Sequence, residues 1–319
     1  MRYRIAGCVV VFSLVLSTRA MAHFANATPA STNITLPPDG EATILLPTTF
    51  GAVISTDGGA SFRWLCDMAL DLGPQSNYDP DFAMATDGTI YASSTGSGLL
   101  VSRDGGCSFA AAAGISDSRW AAKVEIATNG WVWTGTADGG VANDLYVSKD
   151  GGETFSAAGL TIEDGWFRSI KSAATDPQRI YVTGFETGSD GGAALLFSSA
   201  DGGQTWKTLP MDSFVFTGQP GLYLLGVSPV DPDVVFARVA DVQLSEDQDE
   251  LSDVLYRSTD GGQSWSQVLA MPETLTAFVI RKDGTSIIAG TVAGGVRLSA
   301  DGGTTWTTPA QEPQMACVA

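Results

Sequence analysis

The chain has 319 residues, 44% of them hydrophobic, with 35 acidic against 17 basic side chains and a net charge of −18. That length is ample for a sizeable core, and the supply of aromatic and β-branched residues excludes a disordered chain. So acidic a balance argues against nucleic acid and anionic lipid as partners.

The first residues read as an export signal. Arg2 and Arg4 form a positive start, Ile5 to Ser17 is an uncharged, mostly apolar run, and Ala20-Met21-Ala22 is an A-x-A cleavage pattern. Together they predict a signal peptide over 1–22, too short for a membrane anchor. Cys8 lies in a segment like a lipoprotein box, but before the apolar run, so it reads as part of that run. Cleavage would leave 297 residues with 14 basic and 35 acidic side chains, a net −21, because the signal carries three arginines and no acid. No second long apolar run follows, so no membrane insertion is expected, and the localisation expected is extracellular or periplasmic. Residues 23–40 (HFANATPASTNITLPPDG) are a polar, proline-containing lead-in, expected to be mobile. They hold two glycosylation sequons, at Asn26 and Asn33. His23 is the single histidine of the chain. Ser–His–Asp catalysis, Cys–His catalysis and multi-histidine metal sites are thereby excluded.

From residue 41 to 319 the chain reads as one repeat domain. An octet recurs six times, at Ser55–Phe62, Ser102–Phe109, Ser148–Phe155, Ser199–Trp206, Ser258–Trp265 and Ser299–Trp306. Its aspartates are Asp57, Asp104, Asp150, Asp201, Asp260 and Asp301, at intervals of 47, 46, 51, 59 and 41 residues. Each octet follows an apolar strand and carries Asp-Gly-Gly, where glycine supplies positive φ cheaply. The Asp carboxylate and the Ser hydroxyl can bond the turn's own backbone. A closing Phe or Trp can pack between neighbouring sheets. Repetition of one unit accounts for all six aspartates at once, so they are read as structural and not as calcium ligands or catalysts. Further strands precede each octet and one follows it. Four short strands per unit at this period predict a six-bladed β-propeller of four-stranded antiparallel blades. The first unit lacks an innermost strand, and Gln314 to Ala319 read as a strand without a blade. The expectation is that this C-terminal strand closes the ring on the blade of Asp57. The competing expectation is a seventh blade, or a piece of a longer propeller.

These octets, with the turns Asp176-Pro177 and Asp231-Pro232-Asp233, resemble the Asp-box, or BNR, repeat superfamily. That group includes sialidases, xyloglucanases, sortilin-like ectodomains and many secreted bacterial proteins, and the resemblance points to the last kind. It implies that each box turns from the third to the outermost strand of its blade, on the face opposite the usual ligand site. It is specific for fold and poor for function. The Arg-Ile-Pro motif of sialidases does not occur, and Arg63, Arg103 and Arg257 lie beside boxes, so no sialidase role carries over to any residue here.

Loops between second and third strands, and between blades, should share the face opposite the boxes. The longest are Ala137 to Asn143, Glu186 to Gly192, Val239 to Asp253, Asp67 to Pro80, Gly114 to Trp120, Leu160 to Trp166 and Pro210 to Gly221. Insertions on one face of a repeat ring mark its working face. That face should carry the candidate ligand-binding residues Tyr78, Asp81, Arg119, Trp120, Lys123, Glu163, Asp164, Trp166 and Arg168, with Phe214 and Phe216 nearby. Aromatics beside carboxylates suit a glycan or peptide. Packing between blades is the competing reading of Trp120 and Trp166. Lys123, Glu125, Arg168 and Lys171 lie on inner strands and should line a wet central channel, pairing with one another. The acidic run Ser245 to Asp253 lacks the glycine of a calcium loop and reads as solvated. No metal and no cofactor is expected.

Beyond the signal three cysteines remain, Cys66, Cys107 and Cys317. Export permits disulfides, and Cys66 and Cys107 fall on adjacent units, so a Cys66–Cys107 link is expected, with Cys317 the odd thiol. The function expected is that of a secreted, monomeric, non-catalytic binding or scaffolding propeller that recognises its ligand on the long-loop face. The alternative is a carbohydrate-active enzyme, a glycoside hydrolase or lyase without the sialidase motif.

Overall fold

The computed structural model describes residues 43–310, apart from 49–50, 67–69, 71–79, 95–96, 117–118, 189–190, 218–219, 243–251, 272–273 and 292–294. The expected signal peptide, the lead-in, Tyr78 and the closing strand Gln314 to Ala319 lie outside these residues.

The protein is a six-bladed β-propeller, all-β and antiparallel within each blade. The first blade holds β1 (Ile44–Thr48), β2 (Gly51–Ser55) and β3 (Arg63–Cys66). The second holds β4 (Phe82–Met84), β5 (Ile90–Ser93), β6 (Leu99–Ser102) and β7 (Ala110–Ala111). The third is β8 (Ala121–Ile126), β9 (Val132–Thr136), β10 (Asn143–Ser148) and β11 (Ser156–Ile162). The fourth is β12 (Gly165–Ser172), β13 (Ile180–Glu186), β14 (Ala193–Ser199) and β15 (Lys207–Thr208). The fifth is β16 (Leu222–Val227), β17 (Val235–Val242), β18 (Ser252–Ser258) and β19 (Ser266–Met271). The sixth is β20 (Leu275–Ile280), β21 (Ile287–Thr291) and β22 (Val296–Ser299), with Thr307 bridged to Leu298 in the outermost place.

The boxes fold alike in all six blades. In the fourth, Ser199 Oγ donates to Asp201 Oδ1 at 2.8 Å and accepts from Gly203 N–H at 2.9 Å. Asp201 Oδ1 also accepts from Thr205 N–H at 2.9 Å, while Asp201 Oδ2 takes the Thr205 hydroxyl at 2.6 Å. The other five repeat the same Ser–Asp–Ser/Thr bonding. A carboxylate holding so many donors stays ionised, and Asp57, Asp150, Asp201 and Asp301 are held down to about 2.

The second box glycine does more than turn the chain. Its bare Cα face meets a large side chain of the preceding blade. An added Cβ would lie 2.5 Å from Tyr91 at Gly152, 2.7 Å from Trp133 at Gly203 and 2.7 Å from Phe236 at Gly303. Tyr91, Trp133 and Phe236 are almost wholly buried there. The aromatic at the end of the octet adds to the seam: Trp206 Nε1 donates across to Ala158 O of the third blade at 2.8 Å.

In the fourth, fifth and sixth blades the box sits over the turn that joins the first two strands of its own blade. Gly202 N–H donates to Gln178 O, Gly261 N–H to Asp233 O and Gly302 N–H to Thr285 O. The opposite face gathers the loops between second and third strands with the starts of the inner strands. There Ala137 N–H bonds Trp120 O, Thr187 N–H bonds Asp164 O and Ala240 N–H bonds Gly221 O.

Candidate functional site

A pocket of about 460 Å³ occupies the centre of the ring. Its lining comes mainly from the inner strands of blades two to six, with Arg238 of β17 and Pro47 of the first blade completing it. Pro80, Asp81, Lys123, Arg168, Tyr223 and Leu275 stand at or near the starts of those strands, which places the pocket toward the long-loop face. Asp81, Lys123 and Arg168, picked out by sequence, meet here.

The carboxylates around the channel bind one blade to the next. Asp81 accepts from Val124 N–H at 3.0 Å and pairs with Lys123 Nζ at 3.3 Å. Glu125 accepts from Ser172 N–H at 3.0 Å and from its hydroxyl at 2.9 Å, and pairs with Lys171 at 3.3 Å. Asp253 accepts from Leu275 N–H at 2.7 Å and pairs with Arg238. Between the fourth and fifth blades the same role falls to a hydroxyl, Ser169 Oγ, which accepts from Leu224 N–H at 2.8 Å. Glu125 holds the Lys171 ammonium above its ordinary value. Of the four channel charges expected to pair with one another, Glu125 and Lys171 do so, while Lys123 pairs with Asp81 instead; each of the three ion pairs also takes a backbone N–H of the next blade.

Arg168 is arranged differently. Its guanidinium lies over the Phe185 ring at 4.7 Å and near Tyr223 at 5.4 Å, and Nη1 donates to Pro220 O at 2.8 Å. Arg238 covers Tyr223 at 4.8 Å. Burial lowers the Arg168 pKa from the ordinary arginine value.

Arg119 and Trp120 form the rim at the start of β8. Arg119 Nε donates to Asp138 Oδ2 at 2.6 Å, and Nη2 donates to Ala142 O at 2.7 Å and Asn143 Oδ1 at 3.0 Å. Asn143, wholly buried, donates in turn to Asp138 O at 2.8 Å and Gly165 O at 2.5 Å. Trp120 N–H donates to Asp138 Oδ1 at 3.0 Å, while its side chain remains 46% exposed. A rigid polar network thus holds up an open aromatic ring, against the reading of Trp120 as blade packing.

Among the described residues, Glu163, Asp164 and Trp166 do not line the pocket. Leu160 to Trp166 is no loop: β11 runs to Ile162 and β12 begins at Gly165, so exposed Glu163 and Asp164 form a tight turn between them. Trp166 is partly buried and stacks on Phe185 at 5.0 Å. Phe214 is core, packed on Tyr256 and Trp265. The acidic run from Ser245 lies mostly outside the described residues.

The expected Cys66–Cys107 disulfide is not formed, since Cys107 is a free, exposed thiol. Cys107 Sγ accepts from Arg63 Nη1 at 3.4 Å.

Sequence reasoning missed Tyr223, Arg238 and Asp253. Tyr223 carried a usable signal, alternating with buried Leu222 and Leu224 on an inner strand. Arg238 and Asp253 lie on β17 and β18, flanking a long loop, where no periodicity points at them.

A family model described as sortilin, neurotensin receptor 3, matches residues 143–293, a little under half of the chain. Among solved structures, the GH74 xyloglucanase from Xanthomonas campestris superposes with a TM-score of 0.61 at 16% identity. That likeness covers 87% of this chain and 47% of the xyloglucanase, so the chain spans about half its length. YCF48 bound to D1 peptide matches with a TM-score of 0.53 at 14% identity, over 92% of this chain and 82% of that one. YCF48 from Cyanidioschyzon merolae matches at 0.52 and 11% identity, over 89% and 88%. The family match supports a propeller of the superfamily to which the sortilin model belongs. Identities so low show the fold alone. No curated protein matches the chain by sequence.

Proposed function

We propose that this is a secreted, non-catalytic binding propeller that holds a glycan or peptide at the long-loop end of its channel, with Trp120 on the rim. The observation that carries this reading is the commitment of the channel carboxylates among the described residues. Hydrolysis of a glycosidic bond by the usual route needs two carboxyl groups free to act across a gap. Asp81, Glu125 and Asp253 each accept from a backbone N–H of the next blade and pair with a cation. They are spent on architecture. What the pocket offers a ligand is shape, cations and aromatic rings, with an exposed indole held by a buried network beside it. That is the equipment of recognition. Likeness of fold to a xyloglucanase adds no argument for turnover.

The test is a glycan and peptide array probed with the whole chain, followed by the same ligands with Trp120→Ala. Binding without turnover, lost in Trp120→Ala at an unchanged melting temperature, is the expected result. Turnover of any bound glycan would overturn the non-catalytic reading. Binding that survives Trp120→Ala would overturn the placement of the site.

A further inference from the structure

We propose that the channel pocket takes a carboxylate-bearing saccharide, with the Arg168 guanidinium receiving the carboxylate. This rests on the reading that the long-loop end of the channel is the ligand site, and it names the ligand class.

The pocket reverses the sign of the protein. The chain carries a net −18, yet the charged side chains lining the pocket are Lys123, Arg168, Lys171 and Arg238 against Asp81. Three of these cations are neutralised in place, Lys123 by Asp81, Lys171 by Glu125 and Arg238 by Asp253. Among the described residues Arg168 pairs with no carboxylate. Its one hydrogen bond goes to the Pro220 carbonyl, and Phe185 and Tyr223 fix its plane. A guanidinium has five N–H donors set as a fork that matches a carboxylate in two places. Held between rings, it loses little freedom when it binds. Partly desolvated, it attracts an anion more strongly than it would in water. An arginine so placed, without a counter-charge among the described residues, is open to the carboxylate of a ligand.

The rest of the site favours a sugar as the carrier. A volume of about 460 Å³ falls in the range of small-ligand pockets. The Lys123, Lys171 and Tyr223 side chains there offer donors suited to hydroxyls. Trp120, three residues before Lys123, presents an open ring of the kind on which the CH face of a pyranose stacks.

Calorimetric titration of the full chain with uronate disaccharides, their methyl esters and an acidic tripeptide tests this. The acid form should bind, and esterification should weaken it by about tenfold or more, the loss expected for a charge-assisted pair. Arg168→Gln should lose about as much at an unchanged melting temperature, with Arg168→Lys in between. Acid and ester binding alike, or full affinity in Arg168→Gln, would overturn the proposal, as would binding of the tripeptide alone or of none of the probes. Should Arg168→Gln fail to fold, the comparison of acid with ester on the unaltered chain still decides. Equal binding of acid and ester that is lost in Trp120→Ala would sink the carboxylate assignment and leave the long-loop site standing.

Discussion

The two glycines of a box carry different loads, and the third box separates them. Gly151 and Gly152 both have positive φ, at 69° and 80°. A side chain at Gly151 would meet nothing within 4 Å, whereas one at Gly152 would run into Tyr91, whose hydroxyl donates to Gly151 O at 2.8 Å. Gly151→Ala should therefore cost only the left-handed backbone strain, about 1–2 kcal/mol. Gly152→Ala should add about 1–3 kcal/mol, because Tyr91 is buried in a packed seam and must move. Denaturant unfolding of the two variants checks this, and equal losses would show that the glycine does not lock the blades. At the same scale, Ser199→Ala removes a buried hydroxyl that accepts from Gly203 N–H. It should cost about 1–3 kcal/mol, the penalty for leaving such a donor unpaired.

Among the elements, the inner strands carry a device that recurs around the ring. An acceptor on one blade takes a backbone N–H from the inner strand of the next: Asp81 to Val124, Glu125 to Ser172, Ser169 to Leu224 and Asp253 to Leu275. Hydrogen bonding within each sheet cannot join blades, so these side chains do, alongside backbone bonds such as Ala121 N–H to Ser94 O between the second and third blades. Glu125→Ala should unpair the Ser172 N–H and strip Lys171 of its partner, for a loss of about 1–3 kcal/mol. Glu125→Gln should restore part of it, because an amide oxygen still accepts. Thermal melts of both variants test the order, and a Gln variant no better than Ala would assign the effect to the ion pair alone. Much of this was legible in the sequence. The boxes announce themselves because a turn of fixed φ and fixed acceptors admits few residues. Lys123, Glu125 and Arg168 stand out as charges inside apolar strands. What was not legible depended on distances between units. Cys66 and Cys107 sit on adjacent blades, but nothing in their spacing tells which end of β3 faces the next box. Leu160 to Trp166 reads as a loop through Glu163 and Asp164, yet two strands leave only a tight turn there. Phe214 looked like a surface aromatic because its segment has no period, and its place in the core came from packing against the fifth blade.

Over the whole molecule, the six boxes make stability a function of acid. Hydrogen bonds, first from the Ser or Thr hydroxyl four residues on, then from the backbone N–H of that residue, depress the box carboxylates. Asp57, Asp150, Asp201 and Asp301 fall to about 2, and Asp104 and Asp260 are lowered as well. A carboxylate with a folded pKa below its unfolded value of about 3.9 contributes stability that is complete above the unfolded value and disappears as pH falls through the folded one. The six contributions carry one sign and share one window, so they accumulate. With a single histidine in the chain, little titrates between pH 5 and 8 to blur that window. The melting temperature should therefore be nearly flat from about pH 8 to 5 and drop steeply between about pH 4 and 2. Replacing one box carboxylate, as in Asp201→Asn, should lower the plateau and make the acid drop shallower, since one titrating group has been removed. Melting curves across that range for the parent chain and the variant give the comparison. An Asp201→Asn protein with an unchanged acid slope would show that the boxes do not govern acid stability, and would move the cause to the inner-strand carboxylates.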